Sequence, residues 1–471
     1  MPNLSQALTN SLTSGLKSID QTLPPDFSDW INDYSQSIAK LDQPKILLLE
    51  PDPLKFCAAA IAFLKNGKGS LFLGNPAWKV KELSQVAQLF KPDCLWANQF
   101  LKTQFLEIPG KTEVNPCLPK SIYFEPPFLY FATGGSSGKI RFAAHSLSTL
   151  EIAVTGLRQF LKPCLPPSGQ INSLCVLPLF HVGGFMQWWR SALTGGQFCL
   201  VDYDRVKNNP PSIPENFVTS LVPTQLQYLL DHHPQFLKQF KVIFLGGAPP
   251  WPSLLNKARQ LKINLAPTYG TTETAGQIAT LTPAEFLRGK TGVGRLLPHI
   301  NLMMIEQPDS LSKINISKSN EAKFMMVRSE ALFLDYYPRL MEQMFWNSCD
   351  LGYFKQGYLH IVGRHNRQII SGGEKIDPLE IETWLLDQNL VEDVVVVGLD
   401  DRHWGEAVTA IYIPQESINV EQLIETVKTH FAPHKCPKHW LPVPEIGRSP
   451  LGKINYARLS YWANKQISDP H

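Results

Sequence analysis

The chain has 471 residues, 44% of them hydrophobic and 18% charged, with a formal net charge of +3. At ~150 residues per domain, that length calls for about two to four units, and the composition is that of a folded chain. The small charge and the lack of any dense Lys/Arg run argue against nucleic acid as a partner.

The N-terminal MPNLSQALTNSLTSGLKSID has neither a basic leader nor an apolar stretch, so it does not read as a secretory signal. Asp20 and the absence of Arg there argue against a transit peptide. No apolar run reaches ~18 residues, so no membrane-spanning segment is expected. The eight cysteines are scattered with no CxxC pair, which signals neither zinc nor redox chemistry. They read as reduced thiols and point to a cytoplasmic protein.

Short apolar runs alternate with helical spacing through the first ~290 residues. KILLLE (45–50), GSLFLG (69–74), SIYFE (121–125), FLYFATGG (128–135), SLCVLP (173–178), FCLVD (198–202), FVTSLVP (217–223) and KVIFLGG (241–247) read as strands. Several are nearly continuous in apolar residues, as strands buried on both faces are. PLKFCAAAIAFLKNGKG (53–69) and TLEIAVTGLRQFLK (149–162) read as helices between them. The alternation predicts parallel α/β sheets. From about residue 291 the pattern suggests a smaller antiparallel region. After Arg364 it becomes a compact α+β unit, with EIETWLLDQ and VEQLIETVKTHF as helices and VEDVVVVGLDD and EAVTAIYIP as strands. The expected division is a large α/β N-terminal domain, residues 1–363, and a small mobile α+β domain, residues 364–471.

Four stretches carry possible chemistry. In TGGSSGKIR (133–141), glycines let backbone N–H groups face an anion, hydroxyls add donors, and Lys139 and Arg141 add charge. It is not a Walker loop. Thr133 stands where that pattern needs Gly, and Ile140 follows the lysine. APTYGTTETAG (266–276) offers two hydroxyls and Glu273, a carboxylate suited to a hard cation such as Mg2+. CDLGYF and GYLHIVGRHNRQIISGGEKIDPLEIE (349–382) place Asp350 and Arg364 where a ribose could be held, before a Gly372-Gly373 loop and a Pro378 helix start. RSPLGKIN (448–455) holds Lys453 in a loop near the end of the chain. Taken singly, these read equally as a flexible turn, a polar loop, a hinge and a surface lysine.

Their order and spacing over roughly residues 45–460 resemble the adenylate-forming superfamily of acyl-CoA synthetases, aryl-CoA ligases, amino-acid adenylation domains and luciferases. The resemblance implies that a carboxylate attacks the α-phosphate of MgATP, and that a thiol, usually coenzyme A, then displaces AMP. Thr133, Gly134, Gly135, Ser136, Ser137, Gly138 and Lys139 would hold the pyrophosphate end. Gly247 and Ala248, in GGAPP, would flank the adenine. Tyr269, Gly270 and Thr271 belong to the Tyr-Gly-x-Thr-Glu motif, in which Thr272 would meet the α-phosphate and Glu273 would hold Mg2+. Asp350 and Arg364 would take the ribose. Lys453 would bridge the carboxylate and α-phosphate, and Gly372 and Gly373 would face the site in thioester formation.

Three positions depart from the family pattern. The loop ends Ile140-Arg141 rather than Pro-Lys, the hinge residue is Asn366 rather than Asp, and Cys349 stands where Gly is usual. The cysteine is expected to tighten its turn less well.

LPLFHVGGFMQWWRSALTGG (177–196) enters the helix that lines the acyl pocket in this family. His181 reads as a pocket and catalytic residue or as a core histidine bonded to a backbone carbonyl. Arg190, on a largely apolar helix, needs a partner. The partner is a second carboxylate on the substrate, a protein acid, or solvent reached by snorkelling. Gln277 is a further pocket candidate. The expected partners are therefore a small-molecule carboxylate, ATP and coenzyme A, and a homo-oligomer is compatible with the sequence. The rivals are a benzoate- or cinnamate-type ligase and a catalytically silent adenylate-binding protein. An amino-acid adenylation domain would be expected to bring an acidic residue for the substrate amine and a carrier segment, and none follows residue 471.

Overall fold

The computed structural model describes residues 10–18, 23–108, 126–134, 139–306, 322–364, 367–371, 374–401, 403–415, 418–448 and 454–468. The predicted strand at 121–125 lies outside them.

Two α/β sheets form the bulk of the N-terminal region. One has five strands in the order Cys94–Ala97, Lys45–Leu49, Ser70–Leu73, Phe128–Gly134 and Ile140–Ser146. The first four run parallel and the last is antiparallel. The other has eight strands, from Leu16–Ser18 at one edge through Phe198–Leu200, Asn172–Cys175, Phe217–Leu221, Val242–Leu245 and Leu265–Thr271 to Gly276–Thr280 and Arg295–Leu296. Its last two pairings are antiparallel. The expected sheets are thus parallel only in part: each is closed at one edge by antiparallel strands.

Three helices, Pro53–Asn66, Leu147–Leu161 and Val182–Thr194, share one core cluster with strand residues of both sheets. Helix Pro53–Asn66 shows why the local sequence folds this way. Asp52 caps it by accepting from the amides of Leu54 and Lys55, Pro53 sits in the first turn, and Gly67 ends it at φ 68°. Every residue from Phe56 to Leu64 is buried, as suits a helix covered on all sides. Truncating a side chain such as Phe63 to Ala there costs about 3–5 kcal/mol.

A four-stranded antiparallel sheet, Asn301–Ile305, Lys323–Arg328, Trp346–Lys355 and Tyr358–Arg364, follows as anticipated. The remaining five-stranded sheet is built wholly from Ile369 onward. It has a long Val391–Asp401 and Gly405–Pro414 ribbon flanked by helices Pro378–Asp387, Val420–His430 and Tyr456–Ser468. This unit touches the larger one where the Ser253 amide donates to Asp387 Oδ1 at 2.6 Å. No helix among the described residues is long and apolar enough to cross a membrane.

Candidate adenylation site

Three of the sequence motifs sit at the carboxyl ends of parallel strands, where open α/β sheets bind their ligands. Thr133 ends strand Phe128–Gly134, Gly247 follows Val242–Leu245, and Gly270 and Thr271 end Leu265–Thr271. Gly247 lies at φ 84°.

The TGGSSGKIR stretch is the tip of a β-hairpin. Thr133 pairs with Arg141 and Gly134 with Ile140. A Walker loop instead joins a strand to a helix, so the topology agrees with the spacing in setting that motif aside. Gly135, Ser136, Ser137 and Gly138 lie outside the described residues. At its base Thr133 is buried, while Lys139 and Arg141 are exposed.

The strand through YGT runs to Thr271, with a bulge between Tyr269 and Gly270. A Cβ at position 270 would lie 1.7 Å from the Gly276 carbonyl oxygen, so only glycine fits. The turn beyond is held on three sides. The Thr274 hydroxyl shares its one proton between the carbonyls of Thr271 and Gly276, at 3.1 and 2.9 Å. His145, fully buried, faces the Thr272 carbonyl through Nε2 at 2.8 Å. The Phe333 amide donates to the Glu273 carbonyl at 2.8 Å. Burial pulls the His145 imidazole down to about 4, against the smaller upward pull of its bond to Thr272. It is therefore neutral at pH 7. A carbonyl can only accept, so Nε2 carries the proton and Nδ1 faces the Thr149 hydroxyl at 3.0 Å.

Thr272 and Glu273 are thus presented by a rigid turn, both largely buried. The Tyr336 hydroxyl donates to Glu273 Oε1 at 2.6 Å. Burial, reinforced by Glu273, pushes that hydroxyl's pKa up, so it stays a donor. The phenol is a neutral donor that orients the carboxylate without countering it, and a carboxylate oxygen is the ligand a hard divalent cation takes.

The two residues expected at the ribose are cross-strand partners, Asp350 opposite Arg364. Asp350 is buried, and its Oδ2 accepts the Tyr269 hydroxyl at 2.5 Å, which joins two of the motifs. Cys349 adopts φ 59°, the left-handed conformation that glycine takes freely. The backbone thus takes the conformation a glycine would take, at the cost of a Cβ in the left-handed region.

His181 is the N-cap of helix Val182–Thr194, half-buried, with its ring 4.5 Å from that of Phe180. Gln277 is half-buried on strand Gly276–Thr280, opposite Gly270. Arg190 is only 4% exposed, which rules out snorkelling. One guanidinium amine donates to Ser220 Oγ at 3.1 Å, the group lies 4.9 Å from the Phe244 ring centroid, and Nε has no hydrogen-bond partner. No acid of the described residues pairs with it. Burial pulls it down to about 10, still charged at neutral pH. Nearby, Gln187 Oε1 and Thr219 Oγ1 are also buried without hydrogen-bond partners.

Gly372, Gly373, Asn366 and Lys453 lie outside the described residues. The chain is fixed on either side of Lys453. Arg448 is bidentate on Asp393 at 2.5 and 2.6 Å, and helix Tyr456–Ser468 follows.

Sequence reasoning missed His145, Ser220, Phe333 and Tyr336. His145 and Ser220 sit in apolar strands where a lone polar residue reads as core. Tyr336 lies in ALFLDYYP, with no motif spacing to mark it.

The chain belongs to the AMP-binding enzymes: that family's model matches residues 81–337, and the model of the AMP-binding enzyme C-terminal domain matches residues 380–453. Among its relatives, the 2-succinylbenzoate–CoA ligase of Oceanobacillus iheyensis is 29% identical over 356 residues, 72% of this chain and 70% of that one. The 2-succinylbenzoate–CoA ligase of Bacillus pumilus is 31% identical over 295 residues, but the match spans only 61% of this chain and 60% of that one. The fold matches o-succinylbenzoate CoA synthetase of Bacillus subtilis, solved with its acyl-adenylate intermediate, with a TM-score of 0.75 at 20% identity over 96% of this chain and 97% of that one. The same enzyme solved with ATP and a magnesium ion matches with the same TM-score at 23% identity, over 96% and 98% of the two chains.

Proposed function

We propose that this chain is an AMP-forming acid–thiol ligase that converts 2-succinylbenzoate to 2-succinylbenzoyl-CoA, using ATP, Mg2+ and coenzyme A. One observation carries the choice of substrate: Arg190 is a buried cation with no acid of the described residues beside it. An unpaired buried charge is costly, and a ligand carboxylate removes the cost. 2-Succinylbenzoate has two carboxylates. Arg190, with Ser220 holding one arm of its fork, takes the aromatic one, directly or through water. The succinyl carboxylate is the one activated, and His181 and Gln277 line the same pocket.

In the first half-reaction a carboxylate oxygen attacks the α-phosphorus and pyrophosphate leaves. Two anions must approach, so the chain has to supply donors and cations. Lys139 and the loop of residues 133–138 take the pyrophosphate end, and Thr272 donates to the α-phosphate. Lys453 bridges the carboxylate and α-phosphate as charge builds. Glu273 is the carboxylate for Mg2+, which supplies charge neutralisation of the phosphates when bound. Asp350 and Arg364 hold the ribose, and Gly247 and Ala248 the adenine side. In the second half-reaction the thiol sulfur attacks the acyl carbonyl and AMP leaves, with Gly372 and Gly373 facing the site. Residues 1–363 and 364–471 are the two units that would reorient between the halves. This reading puts the protein in the cytoplasm, in menaquinone or phylloquinone synthesis.

The test is product analysis by mass with MgATP, coenzyme A and a panel of 2-succinylbenzoate, benzoate, 4-coumarate and a medium-chain fatty acid. The expected thioester forms with 2-succinylbenzoate and little else. A thioester with a monoacid instead overturns the substrate while leaving the family intact.

A further inference from the structure

The carboxylate assigned to the cation is gripped by a strap that belongs to none of the sequence motifs. The Tyr336 hydroxyl donates to Glu273 Oε1 at 2.6 Å, and the Phe333 amide donates to the carbonyl of the same residue at 2.8 Å. One short segment therefore holds both the side chain and the backbone of Glu273. The strap is itself sewn to the strand that leaves the phosphate loop. Leu334 donates to the Ala144 carbonyl at 2.7 Å, Ala144 to Asp335 at 3.1 Å, and Tyr337 to Phe142 at 2.9 Å. Ala143 and Tyr336 form an antiparallel bridge. On that strand the Arg141 guanidinium lies 4.0 Å from the Tyr336 ring centroid. Asp335 is held at φ 86°, a conformation rare for a side chain with a Cβ, to make the connection.

The choice of donor has a chemical consequence. A lysine or arginine on Glu273 would cancel the charge a cation needs. A phenol orients the carboxylate and leaves its charge in place. The adjacent Arg141 is held by the ring face rather than by the carboxylate, so its charge stays available to phosphate.

We propose that Tyr336 is a positioning residue for the cation: it fixes Glu273 through Oε1 so that the carboxylate is aimed before nucleotide arrives, and it ties that aim to Arg141 at the exit of the phosphate loop. This rests on the reading of Glu273 as the cation carboxylate.

The test is Mn2+ binding to the full chain in the presence of a non-hydrolysable ATP analogue, with free ion read by electron paramagnetic resonance. In Tyr336→Phe the Mn2+ dissociation constant is expected to rise roughly 10-fold, the scale of one hydrogen bond to a charged group. The melting midpoint and the KM for the carboxylate substrate should hardly move. Arg141→Met should weaken Mn2+ binding in the same direction but by less, and it reports on the link if the Phe variant folds poorly. Glu273→Gln separates the two ideas. If it binds Mn2+ like the native chain, the role of Glu273 falls, and this inference with it. If it loses Mn2+ while Tyr336→Phe binds normally, the role of Tyr336 alone is overturned.

Discussion

Two arginines in this molecule, one buried and one half-buried, are treated in opposite ways. Arg448, in the C-terminal unit, makes a bidentate pair with Asp393, the two side chains 22% and 17% exposed. Burial pulls its guanidinium down, but the bonds to Asp393 outweigh that and hold it above its usual range. Arg190, in the N-terminal domain, has a single neutral hydroxyl, and burial pulls it down to about 10. The first charge is balanced within the chain and serves the fold. The second has no acid beside it among the described residues. On the reading proposed above, the aromatic carboxylate of the substrate completes it.

The largest expected effect comes from Arg190→Met. With 2-succinylbenzoate, kcat/KM should fall about 100-fold, equivalent to about 3 kcal/mol, most of it in KM. The melting midpoint should hold or rise, since an unpaired buried charge has been removed. An unchanged KM for the diacid would break the comparison at its functional end. Arg448→Met should do the reverse. It leaves Asp393 unpaired and costs about 1–2 kcal/mol after allowance for partial exposure, seen as a lower denaturant midpoint. If both variants melt alike, the distinction between the two arginines is lost. A third contrast sharpens it: adding 2-succinylbenzoate with a non-hydrolysable ATP analogue should raise the melting midpoint of native protein and of Arg448→Met, but not of Arg190→Met.

A buried base offers a different solution, which is to give up its charge. His145 and His299 are both pulled down to about 4 by burial. Their folded values lie below the ~6.5 of an unfolded histidine, so below that pH the unfolded chain binds more protons. Stability should therefore be full above pH ~6.5 and fall as pH drops toward 4, by at most about 1.4 kcal/mol per pH unit for each histidine. Denaturant unfolding at pH 7, 6 and 5 measures this, and His145→Gln should flatten part of the slope. A slope unchanged in that variant would mean that His145 does not carry the effect. The smallest change should come from Cys349→Gly. Relief of the left-handed strain is worth about 1 kcal/mol, offset in part by the flexibility glycine adds to the unfolded chain.

The layout of the strands was legible because burial on both faces leaves an unbroken apolar run, as in KILLL and VIFL. The antiparallel closing strands were not: Ile140–Ser146 reads IRFAAHS, its apolar run broken by Arg141, His145 and Ser146, and only pairing sets its direction. The motifs were legible because glycines and hydroxyls crowded together have few structural uses. Arg190 stood out by the same logic, as a charge set in an apolar helix. What sequence hid was support. His145 works through a carbonyl 127 positions away, and Tyr336 reaches a carboxylate 63 positions earlier. Neither distance leaves a local pattern.

Cys349 has a practical consequence. Of the described cysteines it is the exposed one; the others are buried or half-buried. It stands beside Asp350, on the antiparallel sheet that ends at Arg364, immediately before the expected hinge. A fluorophore or spin label on that sulfur would need no engineered attachment point, once Cys117 is replaced by serine to exclude a second adduct. Paired with a second probe on helix Val420–His430, it would report whether the C-terminal unit reorients when nucleotide and carboxylate are added.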